Sequence, residues 1–408
     1  MSQQLIRQSI LSIGENREKP RIWIEGKYLE KAGFNKGTKI NINWMSDKII
    51  ITTQLDGNRI VSGKKYPIID MNTEKIKEIF VSDKVKVDIC YGIITITKTK
   101  RETKINNLLS DHSAGCVFSG GGLLDEAVNQ SGYNIKWSVE ANPKYADIWQ
   151  NNHKGIMFNG DIADFDYSEL EQVQLLVAGI PCEPFSQVRQ NKEEVSENLD
   201  LTMFFLMIVE HVNPQKIILE EVPAYLKSEI GMACIMSLKR MGYKVEHKLM
   251  SGTEYGQLTT RKRAVIVASL TDDPKFPEAF ETNRSMSEVL QDVNDPECEW
   301  FNRETKGWVF DHWENQKAKG NNFQSQVITK DSKSVQAITR RYFAQQAGNP
   351  VVGHPLSNEL FRWLTLTEVK RIMGLPDSYD LGDTKTFAGE VMGQGVLVDL
   401  FKQVILVN

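Results

Sequence analysis

The 408 residues are 41% hydrophobic and 25% charged with a formal charge of −4, ordinary globular values that allow two or three domains and exclude a disordered or collagen-like chain. Five scattered cysteines (Cys90, Cys116, Cys182, Cys234, Cys298) contain no CxxC pair, which argues against a disulfide framework and a zinc site; no metal is expected. The charge is uneven: residues 1–100 hold 18 Lys and Arg against 11 Asp and Glu, a net +7, so the rest carries −11, and a polyanion is the first guess for what the front end meets.

In chain order, the first twenty residues, MSQQLIRQSILSIGENREKP, lack the apolar core of a signal peptide, and no run of about 18 apolar residues follows. A soluble, cytoplasmic protein without membrane contact is expected. Residues 20–100 contain a repeat. GTKININWMSDKIIIT (Gly37 to Thr52) superimposes without a gap on SDKVKVDICYGIITIT (Ser82 to Thr97), matching Lys39 with Lys84, Ile49 with Ile94 and Thr52 with Thr97. Each copy alternates like two strands around a turn, and each follows a strand and a short helix, RIWIEGKYLEKAGF and YPIIDMNTEKIKEIF. Two β-α-β-β copies should close one small β-rich barrel over residues 1–105. RIWIEGKYLEKAGFNKGTKI resembles the SymE-like branch of the AbrB swapped-hairpin family, usually dimers that bind DNA or RNA. That resemblance implies both halves in one polypeptide and DNA, the gene's own promoter included, as a partner. A structural or dimerising barrel without nucleic acid is the alternative, since small domains often carry solvated lysines.

Residues 101–113 are polar and read as a linker. AGCVFSGGGLLDEAVNQSGY then reads as a strand, three glycines (Gly120, Gly121, Gly122) and a helix from about Leu123; glycines there let a ligand approach the backbone at a helix N-terminus. Glu140 ends a second strand 20 residues past Gly120, the spacing at which an acid accepts both ribose hydroxyls of a nucleoside cofactor. Asp161 and Ile162 end a third unit, and no Walker lysine follows the glycines. The fourth strand, LLVAGIPCEPFS, delivers Cys182 after Gly179 and Pro181; the fifth, KIILEEVPAYL, ends in Glu220 and Glu221. Neighbouring parallel strands lie about 5 Å apart, so a glutamate and Cys182 can share a pocket. Taken singly, the cysteine is more often a packing residue and the glutamate a solvated cap. YKVEHKLMSGTEYGQLTTRKRAVIVASL supplies two more strands, with Arg261 and Arg263 spaced i, i+2 so that both should point to one face, as an anion clamp or a solvated strand edge.

The set as a whole resembles the C5 cytosine DNA methyltransferase family over residues 111–408, in motif content and order. FSGGG resembles its Phe-x-Gly-x-Gly loop, IPCEPFS its Pro-Cys-Gln-x-Phe-Ser nucleophile loop, LEEVP its Glu-Asn-Val and TTRKR its Gln-x-Arg-x-Arg. RWLTLTEVKRIMGLPDSY and GQGVLV resemble its ninth and tenth motifs. The resemblance implies a class I S-adenosylmethionine-dependent methyltransferase: a Rossmann-like α/β domain with a seven-stranded sheet over residues 111–270 and 359–408, and a target-recognition insert at 271–358. It implies cofactor contacts from Phe118, Ser119, Gly120, Gly122, Glu140, Ala141, Asp161, Ile162, Gly179, Pro181, Met203 and Gln394, with Cys182, Glu220, Arg261 and Arg263 as the catalytic set. The expected reaction is methyl transfer to C5 of a cytosine flipped from duplex DNA, within a restriction-modification or related system, by an enzyme monomeric on DNA. Cysteine suits this chemistry because a thiolate adding at C6 turns C5 into an enamine carbon and afterwards leaves readily. Glu220 would hold N3 through a proton-sharing carboxyl, and the arginines would fix phosphate, the base O2 and the pocket charge.

Residues 187–198 are polar and are expected to form a mobile loop over the flipped base. The insert has an acidic front and a second half with Trp308, Trp313, Lys317, Lys319, Arg340, Arg341 and Tyr342, the better candidate for DNA contact. The sequence departs from the family at Glu183 and Thr259, each in a Gln place, at Glu221 in an Asn place and at Gln394 in an Asn place. A tRNA substrate, a promoter-binding regulator and a nicotinamide oxidoreductase remain as alternatives; the last leaves Cys182, Glu220 and the arginines without a task.

Overall fold

The computed structural model describes residues 5–80, 84–98, 111–181, 192–320 and 326–408, with the backbone alone for 192–200. The chain divides into two compact units, Met1–Asn107 and Leu108–Asn408.

Among its described residues the first unit holds β1 (Leu5–Ser12), β2 (Gly14–Asn16), β3 (Lys19–Glu25), β4 (Lys39–Trp44), β5 (Lys48–Thr53), β6 (Arg59–Ile60), β7 (Ile68–Asn72), β8 (Lys84–Cys90) and β9 (Ile93–Lys98). They form one sheet in the order β1-β8-β9-β5-β4-β6 and another in the order β2-β3-β7. Helices Tyr28–Lys31 and Lys75–Ile79 precede the two hairpins, as the repeat requires. The hairpins meet through β5 and β9: Ile50 faces Thr95, Lys48 faces Thr97 and Thr52 faces Ile93. Residue i thus faces its own repeat counterpart at the centre of the ladder, the register of a local two-fold axis. Alternation sends Ile40, Ile42, Ile49 and Ile51 from one copy and Val85, Val87, Ile94 and Ile96 from the other into a single core, which neither copy could close alone. β1 and β2 fall where the sequence reading has no strand. β1 is largely exposed and lies antiparallel on β8, so ladder hydrogen bonds rather than a buried face define it.

The second unit is built on β10 (Ser113–Val117), β11 (Asn134–Glu140), β12 (Ile156–Asn159), β13 (Leu175–Gly179), β14 (Lys216–Glu221), β15 (Lys244–Ser251) and β16 (Lys262–Ser269), ordered β12-β11-β10-β13-β14-β16-β15. This is the expected seven-stranded sheet. The first five strands are parallel, and β16 is antiparallel to both its neighbours. β10 is buried throughout and β13 as far as Ala178, because helices cover both faces of such a sheet. Strand order reverses between β10 and β13, so their carboxyl ends open a crevice there. Helix Val398–Leu406 returns to pack on helix Leu123–Gln130, which follows the glycine loop. Of the expected mobile loop, residues 187–191 lie outside the described residues, whereas 192–198 begin a 21-residue helix, Lys192–Val212. Phe205, Ile208, Val209 and Val212 bury its later turns, and Glu-rich residues of good helix propensity extend it towards its N-terminus. No helix among the described residues is long and apolar enough to cross a membrane.

The insert carries helix Arg303–Ala318 and a small sheet, β17 (Val327–Ile328), β18 (Val351–His354) and β19 (Ser357–Trp363). β19 leads into helix Leu366–Met373, capped by a Thr365–Glu368 capping box. Glu368 also takes a two-pronged contact from Arg362 at 2.7 Å on each arm, and their side chains are 0% and 2% exposed. Removing one member leaves a buried charge unpaired. Glu368→Ala should therefore cost about 3–5 kcal/mol of stability, read as a lower urea midpoint, and the Arg362→Met/Glu368→Leu double variant should cost less than either single change.

Candidate active site

The site is assembled at the carboxyl edge of the parallel strands. β10 ends in a loop whose Phe118, Gly120 and Gly122 all have positive φ, at 58°, 53° and 83°, so the glycines are there for backbone reasons. A Cβ at Gly121 would lie 2.3 Å from Val391 Cγ1, and one at Gly122 2.6 Å from His153 Nε2, but one at Gly120 would meet nothing within 4 Å. The loop is thus packed from behind and open at Gly120. Ser119 is buried, and its Oγ has no hydrogen-bond partner among the described residues. Tyr379 donates to the Gly121 carbonyl at 2.8 Å and His153 Nε2 lies 3.1 Å from that of Gly122, which fixes the loop from below.

Glu140, at the end of β11, accepts from Gly120 N–H and from Asn142 N–H, both at 2.8 Å. Burial raises its carboxyl above the ordinary value, partly offset by those donors. Ala141 and Glu140 are tied to the next strand by Asn159, whose side-chain amide donates to both carbonyls. Asp161 caps a short 3-10 turn by accepting from Ala163 N–H at 2.9 Å, and Ile162 beside it is buried. The open Gly120 backbone, the orphaned Ser119 hydroxyl and the Glu140 carboxyl form a cradle that fits a nucleoside with hydroxyls to hold.

One strand away, Gly179 ends β13 and pairs in register with Glu220 on β14. A Cβ at Gly179 would stand 3.2 Å from Glu220 Oε2. Glycine therefore leaves room for that carboxylate. Glu220 pairs with Arg263 Nε from β16, and both side chains are largely buried. Pro181 is exposed, and Cys182 and Glu183 lie outside the described residues. Glu221 is 1% exposed; its Oε2 accepts from Val222 N–H at 3.0 Å, while Oε1 has no hydrogen-bond partner among the described residues. Burial, and then the neighbouring Glu220, push its carboxyl up to about 9.

Arg261 does not share a clamp with Arg263. It precedes β16, so strand alternation does not apply to it. It is 4% exposed, and its guanidinium donates to the carbonyls of Ile338 at 3.2 Å, Gly393 at 2.7 Å and Gly395 at 2.6 Å. In this structure its Nη1 and Nη2 groups face these backbone carbonyls, whereas Arg263 meets Glu220. Thr259 is likewise buried. Met203 sits on helix Lys192–Val212 and is 51% exposed; no described contact brings it to the glycine loop. Gln394 is exposed at the end of helix Lys385–Gln394 and accepts from Tyr145 O–H at 3.1 Å. Tyr145 stacks on Phe387 with centroids 5.5 Å apart. Tyr145, His153 and Tyr379 carry no sequence signal, because their partners lie 31 to 258 residues away.

A family model described as C-5 cytosine-specific DNA methylase matches residues 116–407. Among curated proteins, the chain is 26% identical over 295 residues to Type II methyltransferase M.NlaX of Neisseria lactamica, covering 71% of this chain and 93% of that one. It is 23% identical over 291 residues to the tRNA (cytosine(38)-C(5))-methyltransferase of Schizosaccharomyces pombe, covering 65% and 86%. Among solved structures, S. pombe Dnmt2 methyltransferase aligns with a TM-score of 0.59 at 19% identity over 72% of this chain and 97% of that one, a likeness of fold.

Arg261→Met should leave one buried and two part-buried carbonyls without their donor and cost about 3 kcal/mol, measured by urea unfolding. Arg261→Lys, which cannot span three acceptors in a plane, should recover only part of that loss.

Proposed function

The chain belongs to the C-5 cytosine-specific DNA methylase family, and from that premise we propose how its residues carry out the reaction. The enzyme methylates position 5 of cytosine in DNA, with S-adenosylmethionine as methyl donor. The reading of the site rests on one observation above all: the buried Glu220–Arg263 pair at the end of β14, with Gly179 leaving space beside it and Cys182 three residues beyond that glycine.

Phe118, Ser119, Gly120, Gly122 and Glu140 hold the donor, with Asp161 and Ile162 at its base end and Gln394 across the pocket. When bound, S-adenosylmethionine supplies an electrophilic methyl group. Cys182 adds as thiolate to C6 of the flipped cytosine, which makes C5 a nucleophilic enamine carbon; after C5 is methylated, loss of its proton expels the thiolate and restores the ring. Glu220 holds N3, sharing a proton with it as negative charge builds on the ring. Arg263 fixes Glu220 and offers a remaining N–H to the base O2. Unstacking the base costs a few kcal/mol, repaid by these pocket contacts.

The Type II relatives support a place in a restriction-modification system, with duplex DNA bound by a monomer in the bacterial cytoplasm. The first unit adds a DNA-binding surface. Residues 1–100 carry a net +7, which suits a polyanion, and the gene's own upstream DNA is the partner. A second substrate has an observation behind it: a tRNA methyltransferase is among the relatives.

Labelled methyl transfer to duplex DNA, with products mapped by cytosine-conversion sequencing, should place label at C5 within one short motif. Cys182→Ala should abolish it, and Glu220→Gln should slow it about 10²- to 10⁴-fold. Transfer to tRNA and not to DNA would overturn the substrate. Deleting residues 1–107 should spare methylation while removing binding to the gene's upstream DNA in a gel-shift assay; retained binding would overturn the role given to the first unit.

A further inference from the structure

The end of β14 carries two acids, and the structure treats them differently. Glu220 and Glu221 are adjacent on an extended strand, so their side chains leave on opposite faces. Glu220 turns to Arg263. Glu221 turns inward. It lies in register beside Ala264 of β16, is 1% exposed and forms no ion pair with any described residue. The groups around it are Glu220 and Arg263 at the strand ends, Tyr225 on the following 3-10 turn and Cys234 on helix Glu229–Arg240. Tyr225 O–H meets Thr202 of helix Lys192–Val212 at 3.3 Å. Burial pushes the Cys234 thiol up to about 12 and raises the Tyr225 phenol, so neither turns anionic near neutral pH. Arg263 is the cation in this set, and Glu220 holds it. A second carboxylate at this depth would have no counter-charge of its own, whereas a neutral carboxyl needs none.

The chain also stops being a strand here. Val222 N–H, the first amide after β14, is held by Glu221 Oε2 at 3.0 Å, and Pro223 follows. That acceptor therefore sets where the strand turns away, and with it the position of Glu220 one residue earlier.

Building on the methyl-transfer reading above, we propose that Glu221 is a positioning residue for that reaction: an uncharged, amide-like carboxyl whose grip on the Val222 N–H holds the end of β14 so that Glu220 and Arg263 meet the base. Its second oxygen, buried and unpartnered among the described residues, carries the proton. The residue needs no charge and makes no contact with substrate. An ordinary glutamate in this place is ionised in the unfolded chain, so folding takes up a proton between the ordinary glutamate value and about 9. The stability contributed by the neutral acid is full below that window and is lost as pH rises through it.

Two measurements on the full-length chain test this. In urea unfolding between pH 5 and 9, the unfolding constant of the wild type relative to Glu221→Gln should grow about tenfold per pH unit; parallel curves overturn the proposal. In methyl transfer to duplex DNA, Glu221→Gln should sustain turnover at alkaline pH where the wild type declines. Glu221→Leu, with no acceptor for Val222, should lose most of kcat with the donor KM unchanged. Equal kcat for the Gln and Leu variants overturns the positioning role. If the wild type transfers no methyl group to DNA or tRNA, the proposed function fails, and the unfolding comparison still decides the state of Glu221.

Discussion

The guanidinium of Arg261 closes the catalytic unit. It ties together segments that lie 77, 132 and 134 residues further along the chain, at Ile338, Gly393 and Gly395. These carbonyls belong to the segment before β18 and to the end of helix Lys385–Gln394, where regular hydrogen bonding runs out. A buried cation with three carbonyl acceptors answers that need more economically than water could in a packed site. The closure then propagates by contact. Gly395 sits where a Cβ would touch Leu123, and Gly121 where one would touch Val391, so the last helices of the chain press on the loop and helix that begin the sheet. Displacing the clamp would displace the glycine loop with it.

Within that frame the site manages an excess of acid by three different means. Glu220 has a cation, Arg263. Glu140 has amide donors, from Gly120 and Asn142. Glu221 has neither a cation nor a second hydrogen-bond partner among the described residues, and burial pushes its carboxyl up to about 9. Each solution suits a task. The ion pair fixes the orientation of Glu220, the amide donors keep a half-buried carboxyl facing the open glycine, and the uncharged carboxyl holds the chain.

The first unit follows a separate logic. Each β-α-β-β copy is amphipathic on one face and too small to bury that face alone, so the two copies close on each other about a local two-fold. Pairing through β5 with β9 and through β3 with β7 makes the symmetry explicit, since Ile50 meets Thr95 and Trp23 meets Asp70 at the ladder centres. The outer surface departs from that symmetry: the Arg21, Trp23 and Asp70 group is built on one side from an arginine and a tryptophan and on the other from an acid.

What the sequence by itself determined is whatever depends on neighbours along the chain. Strand runs ending in glycine, the 45-residue repeat visible in Ile50 and Thr95, and the order of the glycine loop, Cys182, Glu220 and Arg263 were legible because apolar periodicity and turn chemistry act over a few residues. The seven-stranded sheet follows from these, as does the placement of Glu140 and Glu220 at strand ends. What only the tertiary structure decided depends on burial and on partners far away in the chain. Arg261 and Arg263 look alike in TTRKR, yet one turns its Nη groups to backbone carbonyls and the other meets Glu220, because one precedes the strand and the other lies in it. Glu220 and Glu221 look alike in LEEVP, yet strand alternation turns one towards a cation and the other into the core, and only packing reveals which acid is left without a counter-charge. β1 escaped the sequence for the same reason: it is held by β8 rather than by a pattern of its own.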